Sequence, residues 1–309
     1  MAAMGIAISP RGDSRRIASC SAFTRTLLMT SPNSISVEKL SRLIGRPDAP
    51  LLIDVCTDED FAANPRLIPG SVRRAWADVP SWGPAFVAAG KPAVVVCKKG
   101  LKLSQGVAAW LRHEGVAADS LEGGIVQWAE AKLPIVPAGK LPKRDPRGRT
   151  LWVTRARPKV DRIACPWLIR RFVDPEAVFL FVAPAEVMDV AERFGATPFD
   201  IDRPEVHWSH RGERCTFDVM VEEFGLETEA LKRLALIVRG ADTGRPELAP
   251  ESAGLLAASL GLSRMYADDL EQLEAGMTLY DSFYRWCRDA TDEAHDWPPT
   301  ARTAARKKP

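Results

Sequence analysis

Cys97 is the residue of this chain most suited to covalent chemistry. It follows the apolar run Ala93-Val94-Val95-Val96 and precedes Lys98-Lys99-Gly100-Leu101-Lys102. The run is too short and too β-branched for a helix, and Leu103 to Arg112 has helical spacing of apolar residues. The pattern predicts a strand, a turn carrying Cys97, and a helix. Amides in such a turn can point inward together. With a helix N-terminus and three lysines, they stabilise a thiolate and any anion that approaches it. Lys98, Lys99, Gly100, Leu101 and Lys102 are thus the candidate substrate-binding loop, with Gly100 allowing the turn without a Cβ clash. The plainer alternative is an inert buried cysteine, which normally has apolar neighbours.

The elements that must position this loop follow from the flanking pattern. From Ile35 to Pro137 strands and helices alternate: Ser36 caps a helix, and Leu51–Val55 and Ala93–Cys97 are buried strands. This order predicts a mainly parallel sheet covered on both faces, with functional residues at the carboxyl ends of strands. Asp54 and Cys56 also fall at a strand end. Asp54 is expected to hold the loop from the sheet end, and Cys56 is either a resolving thiol for Cys97 or a packed cysteine.

Length and composition set the frame. A chain of 309 residues corresponds to about two domains of about 150 residues each. A hydrophobic fraction of 46%, 27% charged residues and a net charge of +2 are ordinary for a globular protein and give no sign of a nucleic-acid partner. Cys20, Cys56, Cys97, Cys165, Cys215 and Cys287 form no CxxC pair, which argues against a zinc ribbon or a disulfide scaffold and favours a reducing, cytoplasmic setting. The first 28 residues carry Arg11, Arg15, Arg16 and Arg25 without a signal-type apolar run. An amphipathic transit peptide stays open on composition. Met29 is a candidate start, and residues 1–34 are expected to be disordered or a mis-assigned extension. No run reaches the roughly 18 apolar residues of a membrane helix, so no membrane partner is expected.

Four fragments in order resemble the successive signatures of a rhodanese domain: Leu52-Ile53-Asp54-Val55, Ile68-Pro69-Gly70-Ser71, Cys97-Lys98-Lys99-Gly100, and Leu121-Glu122-Gly123-Gly124 with Trp128 and Leu133-Pro134. The resemblance implies a sulfurtransferase that requires no cofactor. Cys97 would take sulfane sulfur from thiosulfate or another donor, become a persulfide, and pass the sulfur to a thiophilic acceptor. Two positions are informative departures. Leu103 stands where a tyrosine-phosphatase-type loop has its phosphate-binding arginine, which disfavours phosphatase chemistry. Cys56 stands where rhodanese domains commonly carry arginine.

Residues 138–149, rich in proline, glycine and positive charge, read as a linker between a first domain at 35–137 and a second at 150–290. The second opens with a strand from Leu151 to Thr154 and shows helical patterns across 228–240, 250–260 and 266–289. Trp152-Val153-Thr154-Arg155, Pro158 to Arg171, His210 to Asp218, and Val238-Arg239-Gly240-Ala241-Asp242 resemble the C-terminal domain of ChrB-type chromate-resistance proteins. The resemblance implies a role in chromate resistance without transcriptional control, because a rhodanese-like domain precedes it here instead of a DNA-binding region.

Within this domain Asp161, Arg162, Cys165, Arg170 and Arg171 are placed around an expected helix start. They suit either an oxyanion such as chromate or sulfate, or a buried ion-pair network. His207, His210, Cys215 and Asp218 offer ligand types for zinc or another borderline metal. Val206 to Cys215 reads as a hairpin turning at Arg211-Gly212, and strand positions 207 and 210 face opposite sides, so at most one histidine joins a common site. From the family match, His210 with Cys215 and Asp218 is the candidate metal set, beside a purely structural hairpin. His113 and His295 read as surface residues; Trp167, Trp208 and Trp286 read as core. The basic tail, 291–309, reads as solvated disorder.

The expected fold is α/β: a rhodanese-like parallel-sheet domain with helices on both faces, then a second domain passing from α/β to α. Two functions fit: an enzyme carrying sulfur on Cys97, or a non-enzymatic thiol or oxyanion sensor in a chromate-resistance pathway. A DNA-binding regulator ranks below both, since no helix-turn-helix with a basic recognition helix is evident.

Overall fold

Short β-branched strands alternating with amphipathic helices build the first half of the chain. The computed structural model describes residues 32–293. The expectations for Met29 and the preceding segment, for His295 and for most of the basic tail fall outside those residues. In order the elements are β1 (Ser34–Ile35), α1 (Val37–Ser41), β2 (Leu51–Asp54), α2 (Asp58–Ala63), β3 (Arg66–Leu67), β4 (Ser71–Arg73), α3 (Val79–Ala89), β5 (Ala93–Val96), α4 (Lys102–His113), β6 (Ala118–Leu121), α5 (Gly124–Glu130) and β7 (Val136–Pro137). Five strands form a parallel sheet in the order β1-β6-β5-β2-β4.

Period-two alternation divides the sheet between two cores. Ile53, Val95 and Cys97 pack with Phe86 of α3 and Val107 and Leu111 of α4. Leu52, Val94 and Val96 pack on the other face with Leu40 of α1 and Ile125 and Trp128 of α5. Covered on both faces, β5 is buried at every position, which is why it reads as an unbroken apolar run. Ser36 caps α1 as expected, its hydroxyl accepting from the Lys39 amide at 3.2 Å.

The second half contains β8 (Leu151–Arg155), α6 (Asp161–Phe172), β9 (Val178–Val182), α7 (Val187–Phe194), β10 (Thr197–Pro198), α8 (Thr216–Glu223), α9 (Glu229–Asp242), α10 (Ser252–Met265) and α11 (Asp269–Asp289). A three-stranded parallel sheet, β10-β8-β9, precedes the helices. Side-chain caps set the starts of α9 and α11: Thr228 accepts from Leu231, and Asp268 from Leu270 and Glu271. The expected hairpin at 206–215 does not form strands. Only Arg211 and Arg214 exchange backbone hydrogen bonds, around Gly212.

The connecting segment is fixed to both halves. β7 pairs antiparallel with β3. Lys140 reaches Glu223 at 2.9 Å, and Arg144 lies 3.1 Å from the buried Asp174. One apolar cluster runs through Leu40, Ile68 and Trp128 of the first half and Trp167, Phe172 and Tyr284 of the second. The Gly70 amide donates to the Phe172 carbonyl at 2.6 Å. Trp167 and Trp208 are buried, and Trp286 packs half-buried against the same cluster.

Candidate functional site

Cys97 leaves the carboxyl end of the central strand at 5% exposure. Its Sγ lies 3.2 Å from the Ser104 hydroxyl in the first turn of α4, and that hydroxyl donates to the Leu101 carbonyl at 3.2 Å. The loop is seated on the 121–124 turn. The Ile125 and Val126 amides donate to the Cys97 and Lys98 carbonyls at 3.1 and 3.2 Å. This approach demands glycine: a Cβ on Gly100 (φ +67°) would meet the Leu121 carbonyl at 2.2 Å, and one on Gly124 (φ +59°) the Cys97 carbonyl at 2.0 Å. Gly124 thus receives the cysteine loop, whereas a Cβ on Gly123 would meet the Gln127 side chain.

Lys98 is tied to Asp60 at 2.7 Å. Lys99 and Lys102 are exposed, and neither makes an ion pair among the described residues. Leu101, half exposed, occupies the N-cap position of α4 without a side-chain cap. The first-turn amides are therefore left for an incoming anion.

Asp54 is buried and accepts from the Cys56 amide at 2.8 Å, fixing the backbone just past the end of β2. Cys56 packs into the core on the α1–α5 face of the sheet, opposite the face that receives Cys97. Burial, with Asp54 beside it, pushes the Cys56 thiol up, so it keeps its proton. A guanidinium does stand at this strand end, but from β4. Arg73 pairs in register with Asp54, places Nη1 4.0 Å from Oδ2, reaches Asp58 at 2.5 Å and stacks on Phe61. Sequence reasoning missed Arg73, which lies two residues past the second signature and reaches Asp54 through the pairing of β4 with β2. Cys56, Arg73, Arg74 and Trp76 line an open cleft of about 340 Å³.

In the second half the five proposed oxyanion residues do not converge. Asp161 and Arg162 open α6, whereas Arg170 and Arg171 lie in its last turn, about 13 Å further along at 1.5 Å per residue. Arg171 forks onto Asp281 at 2.8 and 2.7 Å, Arg170 pairs with Glu274, and Cys165 is wholly buried in the core. Here the ion-pair alternative describes the arginines.

The metal set is likewise regrouped. Asp218 accepts from the Cys215 amide at 3.0 Å and is forked by Arg239 at 2.9 and 2.8 Å, so it caps α8 instead of facing His210. Cys215 is the buried N-cap residue of α8. His207 pairs with Glu223 at 2.8 Å. His210 Nε2 instead faces Asp242 at 3.2 Å, Asp200 at 3.3 Å and Asp161 at 3.6 Å. Hydrogen bonds to Asp200 and Asp242 hold its imidazole up at about 10.

Asp161 is fully buried and receives the Thr216 amide at 2.6 Å at the start of α8. Burial, with Asp242 and Asp200 nearby, pushes its carboxyl well above the usual range. Val160 before it adopts φ +34°, a strained value for a β-branched residue, while its carbonyl accepts from Tyr280 at 2.8 Å. Asp242 was visible as the end of the last quoted motif. Asp200 carried no sequence signal.

The two halves correspond to two known domain types. Residues 36–131 match the family model of the rhodanese-like domain, and residues 152–287 match that of the ChrB C-terminal domain, so the chain joins one to the other. Over 152 residues it is 40% identical to Protein ChrB of Cupriavidus metallidurans, a match covering 48% of this chain and 44% of that protein. The chain thus spans less than half the length of that curated relative. Among solved structures it is similar to SSP1007 from Staphylococcus saprophyticus, at 28% identity over 31% of this chain and 92% of that one, with a TM-score of 0.28. It is also similar to a rhodanese-like domain protein from Staphylococcus aureus, at 26% identity over 31% and 90%, again with a TM-score of 0.28. No described helix is long and apolar enough to cross a membrane.

Proposed function

We propose that the chain is a sulfurtransferase that carries sulfane sulfur on Cys97, acting in chromate resistance. The observation that carries this reading is the seat of Cys97: a strand-end thiol fixed against Ser104, under a cationic loop that leads into the N-terminus of α4. The Cys97 thiolate attacks the outer sulfur of thiosulfate. The S–S bond breaks, sulfite leaves with the electron pair, and a persulfide remains; a thiophilic acceptor then removes the outer sulfur and returns the thiolate. Lys99, Lys102 and the first-turn amides of α4 are suited to draw in the dianion and stabilise the departing oxyanion. Lys98, held by Asp60, shapes the loop.

The link to chromate rests on the likeness of the second half to ChrB. Chromate and thiosulfate are both tetrahedral dianions, so the loop's electrostatics suit either. Transfer from thiosulfate to cyanide by the wild type and Cys97→Ser tests the proposal: turnover by the first and none by the second is expected, and equal rates would refute it.

A further inference from the structure

Three donor atoms outside the site assigned to Cys97 converge in the second half. One donor atom each from Asp161, His210 and Asp242 lies within 4.8 Å of the other two. The imidazole nitrogen stands 3.6 and 3.2 Å from the two carboxylate oxygens. Donors bound to one ion at about 2.1 Å in a tetrahedral arrangement lie about 3.4 Å apart, so these two spacings are compatible with a coordination shell.

Hydrogen bonding alone does not account for the group. An imidazole Nε2 carries at most one hydrogen, yet three carboxylates address it, with Asp200 at 3.3 Å. Asp200 is compensated elsewhere: Arg162 lies at 3.3 Å, Arg155 at 3.5 Å, and the Thr216 hydroxyl donates to it at 3.1 Å. Asp161 and Asp242 form no ion pair with arginine or lysine among the described residues. Asp161 is moreover completely buried, and the basic side chain that pairs with it is His210. Amides at the start of α8 fix its orientation. In the metal-bound state the two carboxylates and a neutral imidazole would carry two negative charges, which one divalent cation cancels as it displaces the imidazole's proton. His210, at 40% exposure, opens the group to solvent.

We propose that Asp161, His210 and Asp242 bind a divalent first-row transition cation, with Asp200, oriented by Arg162, beside it. One nitrogen and two oxygen donors suit Mn²⁺, Fe²⁺ or Zn²⁺. Three protein ligands leave positions open for an exchangeable ligand. The ligands come from the start of α6, the 206–215 loop and the end of α9, so the ion also ties these elements together.

Mn²⁺ is the probe of choice, because buried cysteines compete poorly for it. The full chain, stripped with a chelator and dialysed, is titrated while electron paramagnetic resonance follows the free ion, and Zn²⁺ is then added as competitor. One Mn²⁺ per chain is expected, displaced by Zn²⁺. Affinity should fall at least about tenfold in His210→Ala and in Asp242→Asn, since even outer-shell changes cost that much. His207→Ala should bind as wild type. Mn²⁺ should raise the unfolding temperature of wild type but of neither ligand variant, a comparison that also establishes that both variants fold. Absence of saturable binding of either ion by wild type, or binding undiminished in both ligand variants, overturns the proposal.

Discussion

Cys97 Sγ and Ser104 Oγ stand 3.2 Å apart across the turn that joins β5 to α4. The hydroxyl's single hydrogen, directed at the Leu101 carbonyl, can turn to Sγ once the thiolate forms and steady it there. Ser104→Ala should leave the fold intact and slow sulfur transfer by roughly tenfold or more, since a hydrogen bond to a charged group is worth about 1.5–3 kcal/mol. A single-turnover rate equal to wild type would reduce Ser104 to packing.

Gly100→Ala places a methyl group 2.2 Å from the Leu121 carbonyl at a positive φ. Backbone must shift, and the variant should lose at least about 2 kcal/mol together with transfer activity. Gly90 is the matched comparison: its φ is +63°, but no atom lies within 4 Å of an added Cβ. Gly90→Ala should cost only about 1 kcal/mol and spare activity. Urea unfolding of the two variants, read beside their activities, separates the contact from the backbone conformation. Equal losses would mean that the seating on residues 121–124 is unimportant.

Asp174 holds the junction of the connecting segment with β8. It accepts from the Thr150 amide at 2.6 Å and the Thr150 hydroxyl at 2.8 Å, and Arg144 lies 3.1 Å away. Asp174→Ala leaves the buried Thr150 amide and hydroxyl without their acceptor, while Arg144 keeps its bond to the Gly148 carbonyl, and should destabilise the chain by about 2–4 kcal/mol. Because one apolar cluster crosses both halves, the unfolding midpoint should fall by the same amount whether followed through the first half or the second. Two separate midpoints would contradict this.

Acid stability should depend on Glu223. Burial raises its carboxyl, but Lys140, His207 and Arg211 outweigh that and hold it at about 2, against an ordinary 4.5. A carboxylate depressed in the folded chain adds stability that is complete above pH 4.5 and is lost as the pH falls toward 2. Glu223→Gln should therefore be less stable than wild type at neutral pH and show a shallower decline between those two values. Parallel acid-unfolding curves for the two proteins would remove Glu223 from this role.

The first half was legible because its signals are local. Ala93 to Val96 is apolar at every position since the strand is covered on both faces, and glycines mark where backbone touches backbone. What escaped there was register: Arg73 meets Asp54 only because β4 lies beside β2, a long-range fact that spacing does not carry. In the second half the structure groups the candidate residues differently from the sequence expectation. Asp218 turns to Arg239 on the next helix, while His210 meets Asp200 and Asp242, which lie far from each other in sequence. Arg170 and Arg171 follow Asp161 by less than three helical turns, yet a helix carries them to its opposite end. Pairings made by packing of helices, unlike caps and strand ends, leave no periodic trace.

The central claim is that Cys97 carries sulfur, and intact-mass measurement after a single exposure to thiosulfate tests it most directly. The wild type should gain about 32 Da, lose it on adding cyanide, and the gain should be absent in Cys97→Ser, as a covalent intermediate requires. A folded wild type that gains no sulfur, or a gain that persists in Cys97→Ser, would contradict the account and leave the loop as an oxyanion-responsive site without turnover.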